Sequence, residues 1–270
     1  MAQFYFLDPY QPRASVVHRC DPRVKVTLAL AFILTVALTP SGAWPIYFLL
    51  FALELAVVIL SELGVSRVYR RALIALPFAL AALPMLFSVA GTSLLNLNLG
   101  LLSLTVTREG VARFMSVVVK SWLSVQMAVL LVGCTPFPAL LAALRALSVP
   151  RLLVAIVGLM WRYLFVLVDE ALRLLRARES RSAHPPEPTG RRVGGSLVWR
   201  ARVAGGMVGN LFLRAFDRAD RIYAAMLSRG YDGETRTLPM PPLHAREWAV
   251  LTAGLCVLVL LMVSGLLFYQ

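Results

Sequence analysis

Two apolar runs, Val24–Leu38 and Trp44–Leu60, stand back to back with only a short turn, Thr39-Pro40-Ser41-Gly42, close between them. Each arm is near the lower limit of about 17 residues that a helix needs to cross a bilayer, so the pair predicts a helical hairpin through a membrane. The helix start is marked as well. Asp21-Pro22 offers a side-chain acceptor at the N-cap, then a residue with preset φ and no N–H at the first helical position. The connector that follows, Ser61–Arg71, carries Arg67, Arg70 and Arg71, whereas the hairpin turn carries no charge. By the positive-inside rule the connector and the N-terminus are cytoplasmic.

The rest of the chain extends the pattern. Further spans are predicted over Ala72–Val89, kinked at Pro77 and Pro84, over Phe114–Cys134, and over Trp248–Phe268. The small residues Ala79, Ala81 and Ala82 suit close helix packing in the third span, and Lys120 in the fourth is expected to snorkel to the outer surface. Gly91–Gly110 reads as a polar outer loop. Composition supports integral membrane character: 59% of the 270 residues are hydrophobic, more apolar surface than a soluble domain of this length needs. The expected architecture is an all-α polytopic membrane protein with about five transmembrane helices, its N-terminus inside and its C-terminus outside.

Between the fourth and last spans the character changes. Helices are expected to open at Thr135-Pro136 and Val149-Pro150. Arg151–Val168 is apolar enough to cross a membrane, but crossing would put Arg173, Arg176, Arg178, Arg181, Arg191, Arg192, Arg200 and Arg202 outside. That would break the orientation rule at the largest basic cluster, so this helix is placed at the inner surface. Ser182–Gly195, with its prolines and glycines, reads as a flexible break. The next helix, ending at Ser228, has Phe212, Phe216, Ala219, Tyr223 and Met226 along one stripe and Arg214, Asp217, Arg218 and Arg221 opposite. Asp217 and Arg221 are expected to pair, Gly230 to take the left-handed conformation that ends a helix, and Asp169-Glu170 to pair with Arg173.

The net charge of +13 is almost all arginine, since Lys25 and Lys120 are the only lysines. Nucleic acid is excluded as the reason, because the charge sits between spans and no finger, RRM or helix-turn-helix signature accompanies it. Cys20, Cys134 and Cys256 are isolated, and His18, His184 and His244 are scattered, so no metal-ligand spacing arises. The first twenty residues lack the apolar core of a cleavable signal peptide. Enzyme motifs are missing: the one Lys-Ser pair, Lys120-Ser121, has no phosphate-cradling loop before it, and neither G-x-S-x-G nor H-E-x-x-H occurs. No cofactor is expected.

The two cytoplasmic helices share an ending in a small residue followed by arginine, at Ala177-Arg178-Glu179 and at Ser228-Arg229-Gly230. An arginine in the last turn of a helix already interacts favourably with the C-terminal dipole. Two such ends on one polytopic chain also suit recognition of acidic or carbonyl groups on a partner, or of an anionic lipid surface.

The segment Val17-His18-Arg19-Cys20-Asp21-Pro22-Arg23-Val24-Lys25 resembles the opening signature of energy-coupling factor (ECF) transporter T components. Thr135-Pro136-Phe137-Pro138, Val149-Pro150-Arg151-Leu152 and Met160-Trp161-Arg162-Tyr163-Leu164-Phe165 resemble the cobalt-type branch, CbiQ. Ser228-Arg229-Gly230-Tyr231 is similar to the second Ala-Arg-Gly signature of that family, with Ser for Ala. The first signature has Glu179 where a small residue is usual, which leaves Ser180-Arg181-Ser182 as an alternative register.

The resemblance, over residues 14–235, implies a non-catalytic coupling subunit of a Co²⁺ or Ni²⁺ importer in the cell membrane. It would comprise a four-span bundle (1–134), a cytoplasmic coupling-helix module (135–235) and a last transmembrane helix (236–270). It implies two ABC ATPase subunits docked on Ala177, Arg178 and Glu179 and on Ser228, Arg229 and Gly230. It also implies a separate substrate-binding membrane subunit, the S component. A stand-alone secondary transporter or channel is the alternative. That would need paired ionisable residues near mid-membrane or an inverted repeat, and a membrane enzyme would need a polar catalytic cluster at a span end.

Overall fold

The computed structural model describes residues 10–75, 77, 81–88, 92–99, 102–181, 196–233 and 241–269. The helices are α1 (Val16–Arg19), α2 (Pro22–Leu38), α3 (Trp44–Ser61), α4 (Val65–Ala72), α5 (Met85–Ser88), α6 (Arg108–Cys134), α7 (Phe137–Ala146), α8 (Arg151–Arg181), α9 (Leu197–Leu227) and α10 (Ala245–Tyr269). The chain is an all-α polytopic membrane protein. Helices α3, α6, α8 and α10 are each long and apolar enough to cross a membrane, and α2, at 17 residues, is slightly shorter. It divides into two compact units, Met1–Leu147 with Met240–Gln270, and Ser148–Pro239.

Local chemistry sets the helix starts in the first unit. The Asp21 carboxylate accepts the Arg23 N–H at 2.7 Å, and Pro22 occupies the first helical position of α2, as expected. Thr107 caps α6 by accepting the Gly110 N–H at 3.2 Å. The hairpin turn is tied by Tyr47, whose hydroxyl donates to the Pro40 carbonyl, and by Ser116, whose hydroxyl accepts the Gly42 N–H. Lys120 donates to the Ala37 carbonyl at 3.2 Å, in the last turn of α2 next to that uncharged turn.

The core of this unit is the seam of α2, α3 and α6. Phe32, Val36, Leu50, Val58 and Leu123 are fully buried there, with Leu258 of α10 against them. Helix α10 comes close to α2 because Gly254 has no side chain: a Cβ there would lie 2.6 Å from Leu28 Cδ2. Inside the seam sits a polar pair. Glu54 of α3 and Gln126 of α6 are both 0% exposed. Oriented as its neighbours require, the Gln126 amide nitrogen donates to both Glu54 carboxyl oxygens at 3.1 Å, and its oxygen accepts from Trp122 Nε1 at 3.2 Å. Phe51 stacks on Trp122 at 5.8 Å between centroids, and Tyr69 of α4 leans on both rings.

Two expectations are corrected. The third span, Ala72–Val89, is not a continuous helix: α4 ends at Ala72, Leu73–Ala75 is a 3₁₀ turn, Ala81–Pro84 is a turn, and α5 lasts only for Met85–Ser88. A proline removes a backbone donor and crowds the turn before it, which suits the turn that ends at Pro84, just before α5. The expected polar loop Gly91–Gly110 contains an antiparallel hairpin, β1 (Ser93–Leu99) with β2 (Leu102–Thr107), in register Asn96↔Thr105 and Leu97↔Leu104, and then the start of α6. The break expected over Ser182–Gly195 lies outside the described residues.

Candidate functional site

Both arginine-bearing helix ends belong to the second unit, on α8 and α9. Helix α8 runs without interruption from Arg151 to Arg181, so the expected helix over Arg151–Val168 and the charged stretch after it are one element. Ser196 caps α9 by accepting the Trp199 N–H at 3.2 Å. The two helices are linked by Arg214, whose Nη1 donates to Glu170 Oε1 at 2.5 Å. This pair replaces the expected one of Glu170 with Arg173. Glu170 reaches across to α9 instead of along its own helix to Arg173. Asp217 and Arg221 stay apart on an exposed face, where such a pair is worth only about 0.3–0.5 kcal/mol.

At the first end, Ala177 and Arg178 lie in the last described turns of α8, and the Ser180 hydroxyl donates to the Ala177 carbonyl at 3.0 Å. Arg178 is half-buried and makes no ion pair among the described residues. With Ala177, Glu179 and Arg181 it lines a broad groove of about 1500 Å³, bounded on α9 by Trp199, Met207 and Asn210. The α9 side of this groove was not evident in the sequence, because nothing local places Trp199 or Asn210 opposite Arg178.

The second end has a complete termination motif. Gly230 has φ +78°, its N–H donates to the Leu227 carbonyl at 3.0 Å, and the Tyr231 N–H donates to the Met226 carbonyl at 3.0 Å. This is the Schellman arrangement, with Arg229 at the cap position and Gly230 in the left-handed residue that follows. A Cβ at Gly230 would meet nothing within 4 Å, so its glycine character is a demand of backbone conformation and not of space. Ser228 donates its hydroxyl to the Ala225 carbonyl at 3.0 Å, and Arg229 is exposed without an ion pair among the described residues. Ser228, Arg229 and Gly230 do not line the groove that holds Arg178, so the chain presents two separate arginine ends.

The second unit also carries uncovered apolar surface. No residue of α9 is buried, and the predicted stripe stands open: Phe212, Phe216 and Tyr223 are all more than half exposed. Ala155 is the one buried residue of α8. Among the described residues no three His, Cys, Asp or Glu side chains come together as a metal site.

The profile of the CbiQ cobalt transport protein family matches residues 13–239. The energy-coupling factor transporter transmembrane protein EcfT of Listeria innocua is 30% identical over 288 residues, spanning 100% of this chain and 99% of that one. The cobalt transport protein CbiQ of Rhodobacter capsulatus is 30% identical over 164 residues, 61% of this chain and 63% of its own. The nickel permease LarQ of Lactiplantibacillus plantarum is 31% identical over 126 residues, 47% of this chain and 42% of its own. A match over this much of its length means that the chain belongs to the CbiQ cobalt transport protein family.

Proposed function

We propose that the chain is the transmembrane coupling subunit of an ECF-type importer for Co²⁺ or Ni²⁺, with two cytoplasmic ABC ATPases and a separate substrate-binding membrane subunit as its partners. The observation that carries this is the pair of helix ends, each offering an arginine that no carboxylate of the described chain neutralises. Arg178 and Arg229 each dock one ATPase copy, where a planar guanidinium donates to acceptors on the partner. The bare face of α9 is surface left for a partner to cover. ATP-driven closure of the ATPases moves these ends, and the apolar helices between Pro136 and Val168 pass the motion to the substrate-binding subunit. The metal ion is cargo held by that subunit, and the ATPases perform the catalysis. The chain lies in the plasma membrane with its N-terminus and both arginine ends cytoplasmic.

The test is pull-down of the ATPases and Co²⁺ uptake with Arg178→Ala, Arg229→Ala and the double variant, normalised to membrane level. Truncating a charged group at a desolvated contact typically costs roughly 2–5 kcal/mol, so each single change should leave partial assembly and the double none. If the arginines only complement their helix dipoles, each loss costs about 0.3–1 kcal/mol locally and the complex persists. Normal ATPase retention and uptake by the double variant overturns the proposal.

A further inference from the structure

The last two carbonyls of α6 are capped from more than a hundred residues away. A helix leaves its final carbonyls without intrahelical partners. Here the Gln11 N–H donates to the Gly133 carbonyl at 3.1 Å, and Lys25 Nζ donates to the Cys134 carbonyl at 3.2 Å. The same ammonium also donates to the His18 carbonyl at 3.4 Å, near the end of α1, so one cation serves two helix C-termini.

His18 fixes the other cap. Its Nε2 lies 2.9 Å from the Gln11 carbonyl and its Nδ1 2.7 Å from the Ser15 hydroxyl. A carbonyl can only accept, so Nε2 carries a proton; in the neutral imidazole Nδ1 then accepts from the Ser15 hydroxyl. Arg67 of α4 donates to the Gln11 side chain, which brings a third element to the same place. What is capped is a joint: Thr135-Pro136 follows at once, and α7 begins there and leads through Pro150 into α8.

Resting on the function proposed above, we infer that Lys25 and His18 are positioning residues for energy coupling that hold the α6–α7 joint closed, Lys25 by capping the Cys134 carbonyl and His18 by fixing Gln11 on the Gly133 carbonyl. Motion that arrives along the coupling helices then turns α6 as a body. With the cap open, the same motion is absorbed by unwinding the last turn of α6.

The experiment uses the complete importer in liposomes with Lys25→Met, which keeps the aliphatic stem and removes the donors, and with Lys25→Arg, which restores them. Lys25→Met should lower Co²⁺ taken up per ATP hydrolysed several-fold, at unchanged ATPase retention and membrane level, and Lys25→Arg should recover most of the ratio. A merely structural role would lower the amount of complex and leave the ratio alone, which would overturn the inference. Amide hydrogen exchange on the full chain gives a readout independent of transport. Lys25→Met should speed exchange at Gln11 and its neighbours while α3 stays protected, and unchanged exchange there overturns the inference even if the chain couples no ATPase. Failure of the unaltered chain to retain ATPases, with the exchange result intact, would instead strike at the function proposed above.

Discussion

Replacing Gln126 with leucine removes the hydrogen-bonding partner of a carboxyl group that is 0% exposed in the seam of α3 and α6. Both Glu54 oxygens then lose the donor they share and Trp122 Nε1 loses its acceptor, and an orphaned buried polar group costs about 1–3 kcal/mol. Glu54→Leu strands the Gln126 nitrogen instead, while its oxygen keeps Trp122 Nε1, so its cost should fall in the lower part of the same range. The double change Glu54→Leu with Gln126→Leu strands only the Trp122 Nε1–H, which Gln126→Leu alone strands as well, so it should cost less than Gln126→Leu and well under the sum of the two singles. The two costs are therefore strongly non-additive, with a coupling of at least the roughly 0.6 kcal/mol that interhelical hydrogen bonds average in membranes. Equilibrium unfolding in mixed micelles, followed by circular dichroism, measures all four corners of the cycle. A double variant destabilised by the sum of the singles would refute the pairing of Glu54 with Gln126.

Reporter fusions at Pro186 and Gln270 should lie on opposite sides of the membrane, and the same side for both would sink the proposed orientation. Gly254→Val should cost about 1–3 kcal/mol, since its Cβ would sit 2.6 Å from Leu28 Cδ2, and Leu28→Ala should recover part of that in the same unfolding assay. Burial holds the His18 imidazole below its ordinary value of 6.5; the Gln11 carbonyl pulls the other way, and the Lys25 cation adds to the lowering. The unfolded chain thus binds the proton more readily, so this contribution to stability is present above pH 6.5 and lost as pH falls below it. Exchange at Gln11, corrected for its intrinsic pH dependence, should quicken below that pH, and His18→Gln should remove the change.

What the sequence disclosed was what depends on neighbours in the chain. Asp21-Pro22 and Gly230 were readable because capping and left-handed termination are settled within a turn of the residues concerned. The stretch from Ala72 to Val89 failed because hydropathy measures greasiness and not continuity: the residues that suit a span suit a broken one equally. The hairpin did leave a signal, the period-two alternation of Leu95-Asn96-Leu97-Asn98-Leu99 and Leu102-Ser103-Leu104-Thr105, masked by its polar setting. Glu54 with Gln126, Glu170 with Arg214, and Lys25 with Cys134 were out of reach. Each joins residues dozens of positions apart, and a lone polar residue in an apolar run does not name its partner.

Helix α8 holds 31 residues with no proline and one glycine, Gly158. At 1.5 Å per residue it is about 46 Å long, about half as long again as the roughly 30 Å hydrocarbon thickness of a bilayer. Arg178 lies 27 residues beyond Arg151, about 40 Å along the axis. Such a rod converts angle into distance. A tilt of about 10° about the Arg151 end sweeps Arg178 through about 7 Å, more than one helical turn of 5.4 Å. Read in the other direction, a displacement of that size at the arginine end reaches the far end as a small rotation delivered with little translation, a gear ratio set by the number of residues between two positions.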